Sequence, residues 1–189
     1  MKKIAVFASG FGSNFEALIE ATKSGRLKAG ISLLVTDKSA CYAVNRAMKN
    51  HIDVFAFDAR EYASKEDYET AITDILIEKG VELIVLAGYM RLLGKVLLEK
   101  FSGKIVNIHP SLLPAFPGLH AIEKAYQYGV KVFGITIHYV DEGMDTGKII
   151  AQDCFKTTGM ETLEDIETQI HQLEHRLYPE VIQKIVEVL

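Results

Sequence analysis

The chain of 189 residues uses several residue types sparingly: it has no tryptophan, four prolines and two cysteines, Cys41 and Cys154. The cysteines stand far apart and in no metal-binding spacing, which favours a reduced, cytoplasmic protein over a disulfide framework. No apolar run approaches the roughly 20 residues that a membrane-crossing helix needs. The apolar run after the basic N-terminal tip is short and lacks a small-residue cleavage site, so it indicates a first strand rather than a signal peptide.

Blocks of basic residues are also absent. The formal net charge is −4, so a nucleic-acid backbone is not expected as the main partner. Apolar residues make up 49% of the chain and charged residues 24%, as in an ordinary globular protein. We therefore expect a single domain over residues 1–189 with small-molecule partners and neither nucleic acid nor membrane. A monomer or a homodimer is expected, since the sequence does not distinguish the two.

Strand-like and helical patterns alternate along the first 110 residues. Nearly continuous apolar runs, typical of strands covered on both faces, occur at 3–9, 31–36, 54–57, 82–88 and 104–109. Segments with helical periodicity separate them, at 13–24, 40–50, 65–79 and 93–101. This order predicts an α/β fold, a Rossmann-like open sheet that is mostly parallel and has helices on both faces.

The pattern changes in the last third of the chain. Segments 134–140 and 148–155 alternate more clearly between polar and apolar residues and are joined by DEGMDTG. They predict an antiparallel hairpin at one edge of the sheet. Residues 162–187 predict a long helix that is broken or kinked at Pro179.

A glycine-containing loop, residues 10–14, follows the first predicted strand and leads into a helix. Its amides and the helix N-terminus favour a phosphate or carboxylate ligand, although a tight turn capped by Ser13 is the alternative. Phe15 stands where a dinucleotide fingerprint has its third glycine. Asp37 could nevertheless bind a ribose at the end of the second strand, so a nicotinamide dehydrogenase remains a rival.

Residues 107–120, NIHPSLLPAFPGLH, hold three of the four prolines. Asn107 and His109 are two apart on a predicted strand and therefore point to the same side of the sheet. The stiff loop after them suits a preorganised site, in which Asn107 donates to an oxyanion and His109 transfers a proton. A carboxylate from the 141–145 turn could stabilise a cationic His109, although a histidine at a strand end is often only structural.

A metal site is not expected. His109, His120, His138 and Asp145 could in principle surround zinc, but no pair has the i, i+4 spacing of a helical zinc motif, and neither cysteine is near a histidine. His138 is interpreted as either core or pocket lining. A serine hydrolase is disfavoured because Ser111 lies outside any G-x-S-x-G motif.

A family resemblance that runs over nearly the whole chain is carried by five segments, in order: GFGSNF, LAGYMRLL, NIHPSLLPAFPGLH, ITIHYVDEGMDTGKII and LEHRLYP. They resemble the glycinamide ribonucleotide formyltransferases, folate-dependent transformylases of purine synthesis. The HPSLLP-x-x-P-G element is specific to the wider formyltransferase superfamily. The GSN loop, and a length with no room for an added domain, point away from transfer-RNA formyltransferases and formyltetrahydrofolate deformylases. The resemblance implies 10-formyltetrahydrofolate as co-substrate and no metal.

The resemblance also implies roles for individual residues. The catalytic residues of the family fall on Asn107, His109 and Asp145. Glycinamide ribonucleotide would be bound by Gly12, Ser13, Asn14, His171 and Glu174. The folate would be bound by Lys65, Met90, Arg91, Leu92, Leu93, Asn107, Asp141, Glu142, Gly143, Met144 and Asp145. His171 stands where relatives often carry Lys or Gln, and Phe11 replaces a small polar residue, so we expect these departures to alter affinity more than activity.

Overall fold

The structure is a computed structural model that describes residues 1–189 and contains one seven-stranded sheet. The strands are β1 (Lys2–Phe7), β2 (Ala29–Thr36), β3 (Val54–Ala56), β4 (Leu83–Leu86), β5 (Ile105–His109), β6 (Val132–Tyr139) and β7 (Ile149–Lys156). The helices are α1 (Ser13–Lys23), α2 (Tyr42–Lys49), α3 (Lys65–Glu78), α4 (Lys95–Lys100), α5 (Ala121–Tyr128) and α6 (Leu163–Val188), with a 3₁₀ turn at Ala59–Glu61. No helix has both the length and the apolar character needed to cross a membrane.

The strand order is β3-β2-β1-β4-β5-β6-β7. The first five strands in this order are parallel, while β6 runs antiparallel to β5 and β7 antiparallel to β6. The predicted Rossmann-like α/β fold with an antiparallel edge hairpin is therefore confirmed. The chain moves outward from β1 to β3 and then crosses back to β4, so the strand order reverses between β1 and β4. Open α/β sheets bind ligands at the carboxyl ends of strands beside such a reversal.

Hydrophobic clusters cover both faces of the sheet, which explains why its central strands have no polar face. In β1, Ile4 and Val6 belong to the larger cluster, whereas Ala5 and Phe7 belong to the smaller one. All four side chains are fully buried. Because successive strand residues point to opposite faces, a strand covered on both sides must be apolar throughout.

Two helical features differ from the sequence-based prediction. Helix α5 was not predicted, because it follows directly on the proline-rich loop and begins after His120, whose φ of 58° lies in the left-handed region. Helix α6 runs without a break through Pro179, so the predicted break does not occur. A proline inside a helix costs about 3 kcal/mol. The burial of Pro179 together with Tyr178 and Val181 offsets this cost.

Tyr178 ties α6 to the two central strands that end near the ligand-binding edge. Its side chain is fully buried, and its hydroxyl lies 2.7 Å from the Leu86 carbonyl oxygen and 3.2 Å from that of Val106. Both carbonyls therefore share one buried donor, which positions the middle of α6 relative to β4 and β5.

Candidate active site

Asn107 and His109 lie at the carboxyl end of β5. The antiparallel register of β5 and β6 places His138 directly opposite Asn107, with the Asn107 Nδ2 atom 3.3 Å from His138 Nε2. His109 is buried, and its Nε2 atom lies 2.9 Å from the carbonyl oxygen of Phe116 in the proline-rich loop. One amide and two imidazoles therefore share a small polar region at the edge of an otherwise apolar sheet.

Asp145, in the turn between β6 and β7, joins the two histidines. Its Oδ2 atom lies 3.3 Å from His109 Nδ1, and its Oδ1 atom lies 3.6 Å from His138 Nε2. Oδ2 also accepts a hydrogen bond from the Gly118 amide at 2.8 Å. The nearby His138 ring, with smaller contributions from the Gly118 amide and His109, holds the pKa of Asp145 below its ordinary value. The carboxylate is therefore charged at neutral pH and orients both rings.

Backbone strain marks both sides of this group. Asp145 and Phe116 have φ values of 56° and 52°, in the left-handed region that residues other than glycine rarely adopt. Such conformations cost roughly 1–2 kcal/mol per residue. They persist where surrounding contacts fix them, and they are often found at functional sites.

Thr136, on β6, fixes the proline-rich loop to the hairpin. Its hydroxyl donates to the Ser111 carbonyl oxygen at 2.7 Å and accepts from the Leu113 amide at 3.0 Å and from Gln152 Nε2 at 2.9 Å. Thr136 is fully buried, so these hydrogen bonds are shielded from water. The loop that carries Phe116 and Gly118 is thereby held in place beside His109 and Asp145.

The loop of residues 10–14 connects β1 to α1. Gly12, with a φ of 74°, occupies the N-cap position, and no side chain caps this helix. The interpretation of Ser13 as a helix cap is therefore wrong. Because the first amides of a helix have no partner within it, those following Gly12 are free to bind an anion.

Glu174, on α6, reaches the first turn of α1. Its Oε2 atom accepts a hydrogen bond from Asn14 Nδ2 at 3.0 Å and lies 3.0 Å from His171 Nδ1. The bond to Glu174 raises the pKa of His171, whereas burial lowers the pKa of His175, which stacks on His171 at a centroid distance of 6.2 Å. Asn14 Oδ1 and His175 Nε2 are buried without a hydrogen-bond partner. Unsatisfied buried atoms are uncommon, and these two belong to the hydrogen-bond partner and the chain neighbour of Glu174.

The segment of residues 88–93 follows β4, and its last four residues, Met90 to Leu93, are those predicted to bind folate. Met90 and Leu92 expose 59% and 55% of their surface, which leaves apolar area beside the carboxyl edge of the sheet. The side chain of Arg91 lies beside this apolar area, where two contacts fix it. Its Nε atom lies 3.1 Å from Asp37 Oδ2, and its guanidinium lies 5.7 Å from the centre of the Tyr68 ring. An apolar surface flanked by a fixed cation suits a ring system that bears a carboxylate.

Lys65 lies beside the end of this segment. It is the first residue of α3, and its ammonium is 4.0 Å from Glu69 Oε1. Glu69 is buried and accepts a hydrogen bond from the Gly94 amide, while Leu93 packs against the smaller hydrophobic cluster. Lys65 and the 90–93 segment are therefore neighbours, although they are far apart in sequence.

The turn predicted to close over folate is exposed except near Asp145. The Oδ1 atom of Asp141 accepts from the Gly143 amide at 3.1 Å and from the Thr146 hydroxyl at 2.6 Å, which gives the turn its own internal bonding. The side chains of Glu142 and Met144 are exposed to solvent. Most of the turn is therefore accessible to a ligand, whereas its last residue, Asp145, lies beside His109 and His138.

Asp37 is not free to bind a ribose. The Ser9 hydroxyl donates to its Oδ1 atom at 2.5 Å, and Arg91 occupies its Oδ2 atom. The Ser9 hydroxyl in turn accepts from the Met90 amide at 3.0 Å. The nicotinamide dehydrogenase alternative therefore loses the acidic residue on which it depended.

This architecture can be compared with that of known proteins. A sequence model of the formyl transferase family matches residues 2–182. The chain belongs to the formyl transferase family. The family resemblance inferred from the five sequence segments is thereby confirmed.

Formyl transferases from bacteria are similar over nearly their full length. The phosphoribosylglycinamide formyltransferase of Bacillus subtilis is 55% identical over 98% of this chain and 95% of its own. The crystal structure of the Bacillus halodurans phosphoribosylglycinamide formyltransferase has a TM-score of 0.95 at 53% identity, covering 98% of this chain and 95% of that one. The trifunctional purine biosynthetic protein adenosine-3 of Gallus gallus is 39% identical over 97% of this chain, which spans 18% of that longer protein.

Some residues of this formyl transferase site were not singled out from the sequence. The sequence does not decide whether His138 is core or pocket lining; in the structure its Nε2 atom lies 3.3 Å from Asn107 Nδ2 and 3.6 Å from Asp145 Oδ1. Thr136 lies on the same strand and carried no local signal. Both roles depend on the register of the β5–β6 pair, which a sequence does not specify. His120 pairs at the surface with Glu123 and does not join the group around Asp145.

Proposed function

We propose that this chain transfers the formyl group of 10-formyltetrahydrofolate to the amine of 5′-phosphoribosylglycinamide, giving formylglycinamide ribonucleotide and tetrahydrofolate in de novo purine (IMP) biosynthesis. The observation that carries the proposal is the group of Asn107, His109 and Asp145 at the same sheet edge as the 10–14 loop, whose helix N-terminus has no side-chain cap. The name and the 55% identity of the Bacillus subtilis relative support it.

The residues of this group match the needs of formyl transfer. The co-substrate supplies an electrophilic formyl carbon, and negative charge develops on the formyl oxygen as the amine attacks. Asn107 can donate to that oxygen, which stabilises the developing charge. His109 can take the proton that the amine loses and return it to the folate nitrogen once its Nε2 atom exchanges the Phe116 carbonyl oxygen for the substrate, while Nδ1 stays toward Asp145. Asp145 orients the His109 ring and stabilises its cationic form, so the three side chains act together.

The ribonucleotide would lie between the anion loop and the catalytic group. We assign its phosphate to the amides of Gly12, Ser13 and Asn14 together with His171, and its ribose hydroxyls to Glu174. Strand β4 separates β1 from β5 in the sheet. The substrate therefore passes over the end of β4, where the 88–93 segment begins.

The folate would occupy the surface beside that segment. We assign its ring system to Met90, Leu92 and Leu93 and to the 141–145 turn, which would close over the pterin. Lys65 and Arg91 are cations that suit the carboxylates of its glutamate tail. A cytoplasmic location and a monomer or homodimer are proposed on the sequence grounds given above.

A spectrophotometric assay of formyl-donor consumption, run with and without phosphoribosylglycinamide, tests the proposal. We expect a signal that requires the ribonucleotide and a product that carries the formyl group on its amine. Release of formate without ribonucleotide would instead identify a hydrolase that uses the same site. Folded protein with no signal in either mixture would refute the assignment of both substrates.

A further inference from the structure

Helix α2 holds the carbonyl groups of the anion loop. The Gly10 carbonyl oxygen accepts from the Ala43 amide at 3.2 Å, and the Phe11 carbonyl oxygen accepts from Arg46 Nε at 3.0 Å. The backbone is close to the helix, since a Cβ atom on Gly12 would lie 2.9 Å from that of Ala43. In a trans peptide the C=O and N–H groups point in opposite directions. Fixing these two carbonyls toward α2 therefore turns the amides of Phe11 and Gly12 away from it.

Arg46 also neutralises a carboxylate in the first turn of α1. Its Nη1 atom lies 2.6 Å from Glu16 Oε2, and the two side chains are 17% and 31% exposed. An acidic residue in the first turn stabilises an empty helix N-terminus, but it repels an anion that binds there. The ion pair with Arg46 reduces this repulsion without removing the acidic residue.

Aromatic rings restrict the position of Arg46. The rings of Phe11 and Tyr42 stack at 4.9 Å with an interplanar angle of 8°, and the Arg46 guanidinium lies 4.7 Å and 4.9 Å from their centres. Phe11 nevertheless exposes 65% of its surface. Its contacts with Arg46 give a physical reason for a large aromatic residue at this position of the loop.

We propose that Arg46 is a positioning residue for the phosphate of the ribonucleotide: it turns the loop amides toward the phosphate and neutralises Glu16. The inference rests on the proposed function for the identity of the ligand. Its geometry applies to any phosphate monoester that binds this loop. Asn14, whose Oδ1 atom is buried without a partner, lies in the same helical turn and independently indicates a ligand.

The test measures binding of ribose 5-phosphate by isothermal titration calorimetry, together with steady-state kinetics of both substrates. For Arg46→Ala we expect the Kd for ribose 5-phosphate and the KM for the ribonucleotide to rise roughly 10- to 100-fold, the effect of losing hydrogen bonds to a charged group. The kcat and the KM for folate should change less than about threefold, because Arg46 forms no hydrogen bond with the catalytic group or with residues 90–93. Adding Glu16→Gln should restore roughly half of the lost binding free energy, since it removes the uncompensated charge.

Arg26→Ala is the matched control. Arg26 is exposed just after α1, and its side chain donates a hydrogen bond to the Ser24 hydroxyl. Its replacement by alanine removes the same charge from the protein. If Arg46→Ala does not fold, Arg46→Lys keeps the charge but not the fork of donors, and a Kd increase of roughly 3- to 10-fold is expected.

Three results would overturn the inference. These are a folded Arg46→Ala protein with a Kd within about twofold of wild type, equal losses in kcat and in both KM values, and wild-type protein that does not bind ribose 5-phosphate. Arg46-dependent binding of ribose 5-phosphate in a protein without formyl transfer would instead refute the proposed function and leave the inference standing.

Discussion

Replacing Asp145 by asparagine removes the negative charge beside His109 while keeping the size and shape of the side chain. The amide oxygen of asparagine can still accept the hydrogen bond that Asp145 receives from Gly118. The turn between β6 and β7 should therefore keep its position. Any change in rate would then report the charge of the carboxylate rather than a collapse of the site.

The expected loss follows from the geometry of the ion pair. Opposite charges at the 3.3 Å separation of Asp145 Oδ2 and His109 Nδ1 attract by about 5 kcal/mol at an effective dielectric of about 20, and by about 1.3 kcal/mol in bulk water. The Asp145 side chain is only 11% exposed, so the value lies between these limits and above the aqueous one. A loss of about 2–4 kcal/mol of transition-state stabilisation corresponds to a roughly 30- to 1,000-fold lower kcat.

The measurement is kcat at saturating concentrations of both substrates, with His109→Ala as the reference for loss of the proton-transfer group, expected at about 10²–10⁴-fold. Asp74→Asn serves as the control, because Asp74 is exposed on α3, away from the site. A folded Asp145→Asn protein that keeps more than about a third of the wild-type kcat would refute the role assigned to this carboxylate.

Three further predictions concern the 10–14 loop, the nucleotide group (Asn14, His171 and Glu174) and helix α6. Gly12→Ala should lower the free energy of unfolding by about 1–3 kcal/mol and weaken ribonucleotide binding, because the positive φ and the closeness of Ala43 both oppose a side chain at this position. Gly25→Ala controls for the effect of φ alone, because Gly25 has a similar φ and no atom near the position of an added Cβ. The KM for the ribonucleotide should rise as the pH increases through the raised pKa of His171, since the imidazolium then loses its charge. For His171→Lys, the KM should stay constant between about pH 6 and 9, because the lysine remains charged. Tyr178→Phe should cost about 1–3 kcal/mol in urea titrations, because two strand carbonyls lose their shared donor.

Each of these has a result that would contradict it. Equal stability of Gly12→Ala and Gly25→Ala would show that the approach to α2 is unimportant. A wild-type KM that does not vary with pH would remove His171 from the phosphate site. An unchanged urea midpoint for Tyr178→Phe would show that water or other groups satisfy the strand carbonyls equally well.

The strands of the sheet were predictable because their burial leaves a simple local pattern. The placement of Asn107 and His109 on one side also followed from strand periodicity. His109 lies 3.3 Å from Asp145, and Asn107 lies 3.3 Å from His138, the other histidine beside Asp145. The residues alone did not distinguish Asp145 from Asp141 and Glu142, since all three stand in one acidic turn. Only the family resemblance identified Asp145 as the catalytic carboxylate. In the structure Asp145 differs from the rest of the turn in its backbone, whose positive φ accompanies the approach of its side chain to His109.

Contacts between distant segments could not be predicted in the same way. The pairing of Asn107 with His138 depends on strand register, and the contact of Arg46 with Phe11 joins residues 35 positions apart. The continuity of α6 through Pro179 depends on packing that a local pattern does not contain. In each case tertiary structure determines a feature for which the nearby sequence carries no signal.

The bond between Asn14 and Glu174 spans 160 positions in the chain. Loop-closure entropy makes contacts of such long range slow to form. The nucleotide group is therefore among the last parts of the protein to assemble, since the contact of α1 with Glu174 can form only after α6 has been synthesised and has docked. A nascent chain stopped before Glu174 could complete the parallel strands and still lack the residue assigned to the ribose of the ribonucleotide. During translation, one-carbon transfer would thus begin only when the first and last helices of the chain have met.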